Sequence, residues 1–484
     1  MRIIRLFTFV FLLMFVLPVL SEAQNKANPW SLEQCIDYAL KNNLQVRQTE
    51  LTRQSNAVSL EQYRAGLWPT LNANASHSYN YGQIYDYYTS TFANELVASE
   101  NFSLNANVTL FSGLQKLNTI HQGEYDLLSS REDLNKMKND ISLNIAGAYL
   151  QILFNYELLT VAQNQVGISQ IQTERTKKLV DAGALAKGNL LQLQAQLAMD
   201  ELNSATAQNQ LDLSYLSLVQ LLDLDSVGSF TIVRPQLSLP NESMLTLTPS
   251  QIFATAVTMQ PVVKSAEYKL KSYDMQLKIA KGGIYPRLTF SAAVGSNYSG
   301  LNTQTVGTPI YTGTNVATPY FVSAGGVPLP VLEPVFTGVS QELTPWAKQM
   351  NQTFMTSFGL NLSIPIFNGL QTHANIERAK LSVQNANLNL QLQQIQLRKT
   401  IQQAYADANA ALIKFHATRK TVEATQESFK YTEQKFNVGL LNSLDYNDAK
   451  NKLIKAESDL LQSKYDYIFK VKVLDFYQGK PLTL

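Results

Sequence analysis

Apolar and small polar residues alternate, with a period of two, through four short segments of the chain. Successive side chains of a β-strand point to opposite faces, so this alternation predicts strands with one apolar and one polar face. The polar positions are mainly Asn, Ser, Thr and Gly rather than charged residues. The predicted strands cover residues 70–81, 102–111, 287–298 and 356–367.

Two long stretches without proline follow the second and the fourth predicted strands, over residues 114–180 and 370–436. At 1.5 Å per residue, each would form a helix about 100 Å long, which exceeds an ordinary globular helix. Apolar residues recur in them at steps of four and three, which is typical of coiled-coil helices. The recurring positions are Ile141, Ile145, Ala148, Ile152, Asn155 and Leu159 in one stretch and Leu397, Ile401, Ala404, Ala408, Ala411 and Phe415 in the other.

Shorter helical segments lie before and after these stretches. A first helix is predicted over residues 31–65 and again over 249–281, and the capping residues Ser31 and Thr248 open them. A return helix of about 36 residues spans about 55 Å. A first and a return helix placed end to end therefore match one long helix, which predicts a cylinder of antiparallel helices. The return helices are predicted over residues 188–224 and 443–477.

The chain also contains an internal duplication. Gly66-Leu-Trp-Pro69 aligns with Gly283-Ile-Tyr-Pro286 at an offset of 217 residues, and a block that begins at Phe102 aligns with one at Phe358 at an offset of 256. The second copy therefore carries 256 − 217 = 39 extra residues. They fall within residues 299–355, whose Gly, Pro, Thr and Tyr content predicts a long loop.

The first 23 residues have the pattern of a secretory signal peptide. Arg2 and Arg5 precede an apolar run over residues 6–20, and Ser21-Glu22-Ala23 provides a small-x-small cleavage site. The alternative is an uncleaved anchor, for which this run is short. The predicted organisation is a signal peptide at 1–23, a first repeat at 24–225, a linker at 226–248, a second repeat at 249–478 and a C-terminal end at 479–484.

Composition excludes several classes of function. The 39 Lys and Arg residues nearly balance 37 Asp and Glu residues, so there is no basic footprint for nucleic acid. The single cysteine, Cys35, and four scattered histidines do not have metal-ligand spacing, and no nucleotide-binding or catalytic motif occurs. We therefore expect no enzyme, no cofactor and no metal site. No stretch of 18 or more apolar residues occurs after residue 24, so we also expect no transmembrane helix.

Four strands cannot close a membrane barrel by themselves, because single-chain barrels begin at eight strands and an open edge cannot face lipid. Three chains would supply twelve strands, with polar faces toward a wet lumen and apolar faces toward lipid. Aromatic residues at the helix-proximal strand ends would mark one membrane interface. These residues are Trp68, Phe111, Tyr285 and Phe367. The alternative for the same alternation is a soluble sandwich.

The duplicated order of helix, strand pair, long helix and return helix resembles the TolC family of outer-membrane efflux ducts. The most specific segment is Phe436-Asn-Val-Gly439-Leu-Leu-Asn-Ser-Leu-Asp445-Tyr-Asn-Asp448-Ala449, with its counterpart Val180-Asp-Ala-Gly183. The resemblance implies a mainly α fold with a membrane β-barrel. Coiled-coil helices of three copies would form an α-barrel, and four strands per chain would form a 12-stranded β-barrel, with the linker as a belt around the helices.

The resemblance also implies a place and partners. The chain would be the exit duct of a tripartite efflux or type I secretion system, in the outer membrane of a Gram-negative bacterium and extending into the periplasm. Its partners would be two further copies of the chain, outer-membrane lipid, a periplasmic adaptor and an inner-membrane pump of RND or ABC type. An exported coiled-coil adhesin or a periplasmic adaptor is the alternative, and neither the cargo nor the pump class is indicated.

Site residues follow from the same resemblance. Asp445 and Asp448, three positions apart near the start of a helix, would form two acidic rings at the pore constriction; otherwise they favour the helix dipole and face solvent. Leu441 and Phe436 stand where the family's closed tip has an arginine and a tyrosine. The sequence therefore leaves open whether the latch is polar, as in the family, or apolar, through Phe436, Leu440 and Leu441. The periplasmic tip, where the duct closes and adaptors dock, would contain Gly183, Leu185, Phe436, Val438, Gly439, Leu440 and Leu441.

Overall fold

The structure is a computed structural model, and it describes residues 29–86, 90–224, 230–235 and 247–483. The predicted signal peptide lies outside these residues, as does most of the predicted linker. Helices and strands follow the duplicated order expected from the sequence. Their bounds are α1 Leu32–Asn42, α2 Leu44–Ala65, β1 Thr70–Asp86, β2 Thr91–Ser112, α3 Gln115–Asp181, α4 Lys187–Leu221, α5 Pro249–Met259, α6 Pro261–Gly282, β3 Arg287–Ser299, β4 Thr303–Ala324, β5 Val327–Leu343, α7 Trp346–Gln352, β6 Met355–Ser363, α8 Gln371–Asn437 and α9 Ser443–Tyr477.

The helices of the two repeats have identical lengths. α1 and α5 have 11 residues each, α2 and α6 have 22, α3 and α8 have 67, and α4 and α9 have 35. Each repeat opens with the same capping box, in which Ser31 exchanges hydrogen bonds with Gln34 and Thr248 with Gln251. The duplication read from the sequence is therefore a duplication of structure.

The first helix of each repeat is broken, where the sequence led us to expect one continuous helix. Asn43 adopts φ −59° and ψ 130°, and its side-chain oxygen accepts hydrogen bonds from the amides of Gln45 and Val46, so it caps α2. Gln260 has ψ 128° and precedes Pro261, whose ring disfavours the helical region for the preceding residue. Different residues thus produce the same break in the two repeats.

Four antiparallel strands form one sheet in the order β1-β2-β3-β6. β1 and β2 are longer than predicted because they pair without interruption from Thr70–Asn107 to Asp86–Thr91, beyond the segment of clean alternation. β6 ends at Ser363, earlier than predicted, and Pro365 just beyond it has no amide proton for a sheet hydrogen bond.

Residues 299–355, predicted as a long loop, form a hairpin and a short helix instead. β4 and β5 pair as a separate two-stranded sheet, joined by Gly325 and Gly326, whose φ angles are +66° and +86°. Paired glycines with positive φ make a tight hairpin turn. The Gly and Pro content suggested a loop, but the Val, Tyr, Phe and Thr residues between them favour strands.

The chain divides into two compact units. The helical unit comprises the described residues up to 58, then 124–272 and from 383 onward, and the sheet unit comprises residues 59–123 and 273–382. In the helical unit the core lies along the residues that recur at steps of three and four. Those fully or nearly buried include Ile141, Ile145, Ile152, Asn155, Leu159, Leu397, Ile401, Ala404, Ala408, Ala411 and Phe415.

Two parts of the helical unit are fixed to this core by backbone contacts. Trp30 forms a parallel bridge with Ile232, so part of the predicted linker, residues 230–235, packs beside α1. The buried hydroxyl of Tyr149 donates to the carbonyl of Val233 at 2.5 Å.

By length and composition alone, α3 could cross a membrane, which the sequence did not lead us to expect. Buried core helices have the same composition, and Ile145 and Tyr149 of α3 are core residues.

Candidate functional site: the tip of the helical unit

Two helix turns of the same geometry connect α3 to α4 and α8 to α9. Gly183 and Gly439 have φ angles of +74° and +79°. The amide of Ala184 donates to the carbonyl of Leu179, and the amide of Leu440 donates to the carbonyl of Lys435. A glycine with positive φ followed by a hydrogen bond five residues back is the Schellman motif, which ends a helix sharply. We call these two turns the tip.

The predicted tip residues differ in burial. Val438 and Leu440 are 71% and 73% exposed. Leu185 and Leu441 are half-buried. Two of the three side chains of the predicted apolar latch are therefore partly or largely free of packing within the chain, and the third makes a different contact.

Phe436, the third residue of the predicted latch, stacks on Tyr446. The ring centroids lie 4.6 Å apart with an interplanar angle of 26°. Phe429 contacts the same tyrosine from the preceding part of α8. Burial raises the pKa of Tyr446 to about 12, and its hydroxyl has no hydrogen-bond partner among the described residues. The aromatic contact between α8 and α9 thus lies inside one chain, and the sequence did not point to Tyr446.

Asp445 and Asp448 are both exposed on α9, and they flank the buried residues Tyr446 and Asn447. Asp445 belongs to the first turn of α9. The side-chain oxygen of the N-cap residue Asn442 accepts a hydrogen bond from the amide of Asp445 at 2.9 Å. Asp448 pairs with Lys452 one turn later at 2.6 Å. No basic side chain of the described residues pairs with Asp445. The two aspartates therefore share a solvent-facing side but have different electrostatic surroundings.

Side-chain hydrogen bonds join the two repeats at the tip. The hydroxyl of Ser443, at the start of α9, donates toward the side-chain oxygen of Asn189 at 3.2 Å and lies beside that of Gln192, both on α4. Arg175 near the end of α3 donates to the side-chain oxygen of Asn437 at 2.6 Å. The structure thus has a polar connection between the repeats, and the sequence did not point to the residues that form it.

A charged pair is buried between α3, α4 and α9, further along these helices from the tip. Lys450 Nζ lies 3.6 Å from Asp200 Oδ2, and only 4% and 2% of the two side chains are exposed. Lys450 also donates to the hydroxyl of Ser169 at 2.7 Å, and that hydroxyl donates to Asp200 in turn. Gln196 donates to the other carboxylate oxygen at 2.9 Å. Burial lowers the pKa of Lys450, and the charge of Asp200 opposes that shift.

Sequence reasoning missed this pair, although a signal existed. Asp200 lies seven residues after Leu193 and seven before Ala207, and both of these are buried. A charged residue at the seven-residue step of an apolar stripe faces the core, so it must find a partner there.

The four predicted interface aromatics belong to the sheet unit. Trp68 and Tyr285 precede the first residues of β1 and β3 by two positions, and Phe111 is the penultimate residue of β2. Phe367 follows the last residue of β6 by four positions. All four side chains are exposed, Trp68 to 73% and Phe367 to 81%. The sheet therefore presents them to its surroundings at the ends that lead into helices.

Comparisons with known proteins agree on one family. The sequence matches the family described as outer membrane efflux protein over residues 35–223 and 255–479. It is 22% identical to outer membrane protein TolC of Escherichia coli K12, over 93% of this chain and 81% of TolC. It is 21% identical to alkaline protease secretion protein AprF of Pseudomonas aeruginosa, over 91% of this chain and 82% of AprF. The solved CmeC outer membrane channel of Campylobacter jejuni has the same fold, with a TM-score of 0.73 and 16% identity over 93% of this chain and 85% of CmeC.

Proposed function

Because the chain belongs to the outer membrane efflux protein family, which consists of outer-membrane channels and not enzymes, we propose that three copies form a duct through the outer membrane and periplasm. The duct is the exit of a tripartite efflux or type I secretion system. It conducts cargo passively, and its partners are a periplasmic adaptor and an inner-membrane pump of RND or ABC type. AprF is named for protease secretion and the family for efflux, so both kinds of system are included.

The observation that carries the trimer is the open sheet. β1 and β6 are its outer strands, and each pairs on one side only among the described residues. Apolar side chains on these strands are exposed, including Leu71 to 65% and Phe358 to 81%. Unpaired strand edges cannot lie in hydrocarbon, so neighbouring copies must pair β1 with β6. Three chains then give a closed barrel of twelve strands, whereas one chain has too few.

The helices support the same assembly because some are apolar on two opposite sides. In α8, Ala386, Leu397 and Ile401 are buried, while Leu388, Leu392 and Ile395 lie on the other side of the helix and are 48–59% exposed. α2 repeats this arrangement, with Val46 buried and Leu44, Leu51 and Val58 exposed to 64–68%. A second apolar stripe at heptad spacing is typical of a helix with neighbours on both sides, as in a cylinder.

At the tip, Asp445 and Asp448 would form two acidic rings in the trimer. Lys452 compensates part of the charge of Asp448, and Asp445 has no such partner in the described part of the chain. The ring of Asp445 therefore dominates cation selectivity. The exposed side chains of Val438 and Leu440 provide the apolar part of the adaptor-docking surface. The aromatics Trp68, Phe111, Tyr285 and Phe367 lie at one membrane interface.

The test is single-channel conductance of the detergent-purified protein in planar bilayers, after its mass in detergent has been measured. We expect three chain masses and small cation-selective openings. Asp445→Asn should lower cation selectivity more than Asp448→Asn, whereas Lys452→Gln should raise it by freeing Asp448. A monomer that does not insert into the bilayer would overturn the proposal of a duct. Equal selectivity of all variants would overturn the proposal of acidic rings and leave the proposal of a duct standing.

A further inference from the structure

Among the described residues, the hairpin of β4 and β5 has no packing partner that accounts for its side chains. It is a separate two-stranded sheet, and nearly all of residues 303–343 are exposed. Over these 41 residues the only charged side chains are Glu333 and Glu342. Large apolar residues are frequent instead. Those that are 48–64% exposed include Ile310, Tyr311, Val316, Phe321, Val322, Leu329, Leu332 and Phe336. Contiguous exposed apolar surface of this kind marks an interaction site.

These apolar residues are sorted onto two different faces. Residues paired across an antiparallel ribbon share a face, and alternate residues of a strand take opposite faces. The pairing shifts register after Gly307, Tyr311 and Ala317 of β4, so the faces are assigned from alternate residues of β5 and their partners. The aromatic face contains the pairs Tyr311–Phe336, Ala317–Leu332 and Phe321–Pro330. The aliphatic face contains Ile310–Thr337, Val316–Glu333 and Val322–Leu329. The ribbon therefore presents large apolar side chains on both sides, with different chemistry on each and with Glu333 as the charged residue of the aliphatic face.

The outer edge of β5 is unsuitable for adding another strand. Val327 follows a two-residue turn and pairs with Ala324. Every second residue from Pro328 onward therefore directs its backbone nitrogen and carbonyl group away from β4. Pro328, Pro330 and Pro334 all have this parity, and proline has no amide proton to donate. A partner that approaches β5 must therefore contact the faces of the hairpin and not extend it as a sheet.

The base of the hairpin is fixed to the main sheet. Gln349 of α7 is fully buried; its side chain accepts from the amide of Ser299 at 3.0 Å and donates to the carbonyls of Ser299 and Thr344 at 3.1 and 2.9 Å. The indole of Trp346 donates to Glu100 of β2 at 2.8 Å. The position of the hairpin in any assembly therefore follows from the position of the sheet.

We propose that the three hairpins of the trimer pack on one another as a closed collar, with the aromatic face of each copy against the aliphatic face of the next. This rests on the trimer proposed above. Under rotational symmetry every contact joins two different surfaces of the chain, so a ring requires two complementary faces on each ribbon. A lipid surface would require only one apolar face, and residues 303–343 contain no basic side chain for anionic headgroups.

The size of the faces is sufficient for such a contact. If each large side chain contributes about 100 Å², an aromatic and an aliphatic face together bury on the order of 1,000 Å² with the prolines and backbone included. That is close to a small specific interface, and the helices and the main sheet supply the rest of the trimer contact. The collar thus continues the trimer interface beyond the end of β3.

Disulfide cross-linking tests the collar in the full-length protein. Leu332→Cys lies on the aromatic face and Val316→Cys on the aliphatic face at the same height, so the double variant should oxidise to a covalent trimer. Leu332→Cys/Tyr311→Cys places both thiols on the aromatic face and is the matched control, which should give no covalent trimer. The native Cys35 is fully buried, and burial raises its pKa to about 12, so it should give no background of cross-linking.

The mass in detergent is measured before oxidation, which separates the two proposals. A monomeric mass would overturn the trimer itself. A trimeric mass with no cross-link, or with equal cross-linking in the control, would overturn the collar alone. Labelling of both cysteine positions by a lipid-soluble maleimide, without cross-linking, would place the hairpin on lipid instead.

A second measurement on the unmodified protein guards against misfolding of the variants. Chymotrypsin should spare Phe321 in the trimer and cleave there after dissociation in mild denaturant. Rapid cleavage at Phe321 in the intact trimer would also overturn the collar.

Discussion

Lys450 and Lys452 lie two positions apart on α9 and each pairs with an aspartate, but their surroundings differ. The pair of Lys450 and Asp200 is almost completely buried, whereas Lys452 and Asp448 are 68% and 61% exposed. Water screens the exposed pair, so it contributes little to stability. In the buried pair, loss of one partner leaves the other charge without compensation in a medium of low dielectric constant.

Lys450→Met should therefore lower the free energy of unfolding by about 3–5 kcal/mol, because Asp200 keeps a buried charge without its cation. The matched control is Lys452→Met, which removes the same charge from the same helix and should change stability little. Thermal and denaturant unfolding in detergent measure both. Asp200→Leu/Lys450→Met should recover most of the loss, and a double variant as unstable as Lys450→Met would show that the pair acts through something other than charge.

Tyr446 and Tyr149 offer a second comparison, since both side chains are 1% exposed. The Tyr149 hydroxyl donates to the carbonyl of Val233, whereas that of Tyr446 has no partner among the described residues. Tyr149→Phe should cost about 1 kcal/mol or more, and Tyr446→Phe should be neutral or stabilising by about 1 kcal/mol. Unfolding curves of the two variants decide this. A larger loss for Tyr446→Phe would reveal a partner for its hydroxyl in the assembled protein.

At the scale of elements, the tip depends on backbone conformations that only glycine adopts easily. Gly183 and Gly439 have open space where the β-carbon of another residue would lie, so the cost of a side chain there comes from positive φ alone. The helical Gly167 of α3 also has open space, but its φ lies outside the positive range. Substitutions at these three positions therefore measure the effect of backbone strain without a contribution from steric clashes.

Gly439→Ala should destabilise the turn between α8 and α9 by about 1 kcal/mol, because an L side chain is strained in the left-handed region. Gly167→Ala, the control, should instead stabilise α3 by about 0.5–1 kcal/mol by restricting the unfolded chain. Hydrogen exchange measured by mass spectrometry should show faster exchange around residues 435–442 in the first variant only. Unchanged exchange there would mean that other contacts hold the tip.

Element boundaries show where sequence reasoning succeeds. The long and return helices begin and end close to the predicted residues, because apolar periodicity and a glycine at each end are local signals. The break at Asn43 was missed, since it depends on the Asn43 side chain capping the first turn of the following helix, α2. The hairpin of β4 and β5 was missed because proline and glycine, read singly, indicate a loop.

At the scale of the whole molecule, the exposed apolar stripe of α8 is the feature that a single chain leaves without a partner. Leu388→Lys/Leu392→Lys should prevent trimer formation while α8 keeps its helicity, because lysine is a good helix former but opposes burial at an interface. Asn389→Lys/Gln396→Lys places the same charges about a quarter turn away and is the control. Mass in detergent and circular dichroism measure the outcomes. A trimer that survives the first variant would show that this stripe lies outside the interface.

The sequence alone determined the duplication, the order and length of the long and return helices, and the family, since all of these follow from local periodicity and from matching residues. By resemblance it also indicated Asp445, Asp448 and the tip glycines as candidate site residues. Tertiary structure decided which side chains meet: Lys450 with Asp200 and Ser169, Phe436 with Tyr446, and Ser443 with Asn189. These contacts join residues that are up to about 280 positions apart in the chain, and local pattern carries no information on such partners because packing of separate helices creates them.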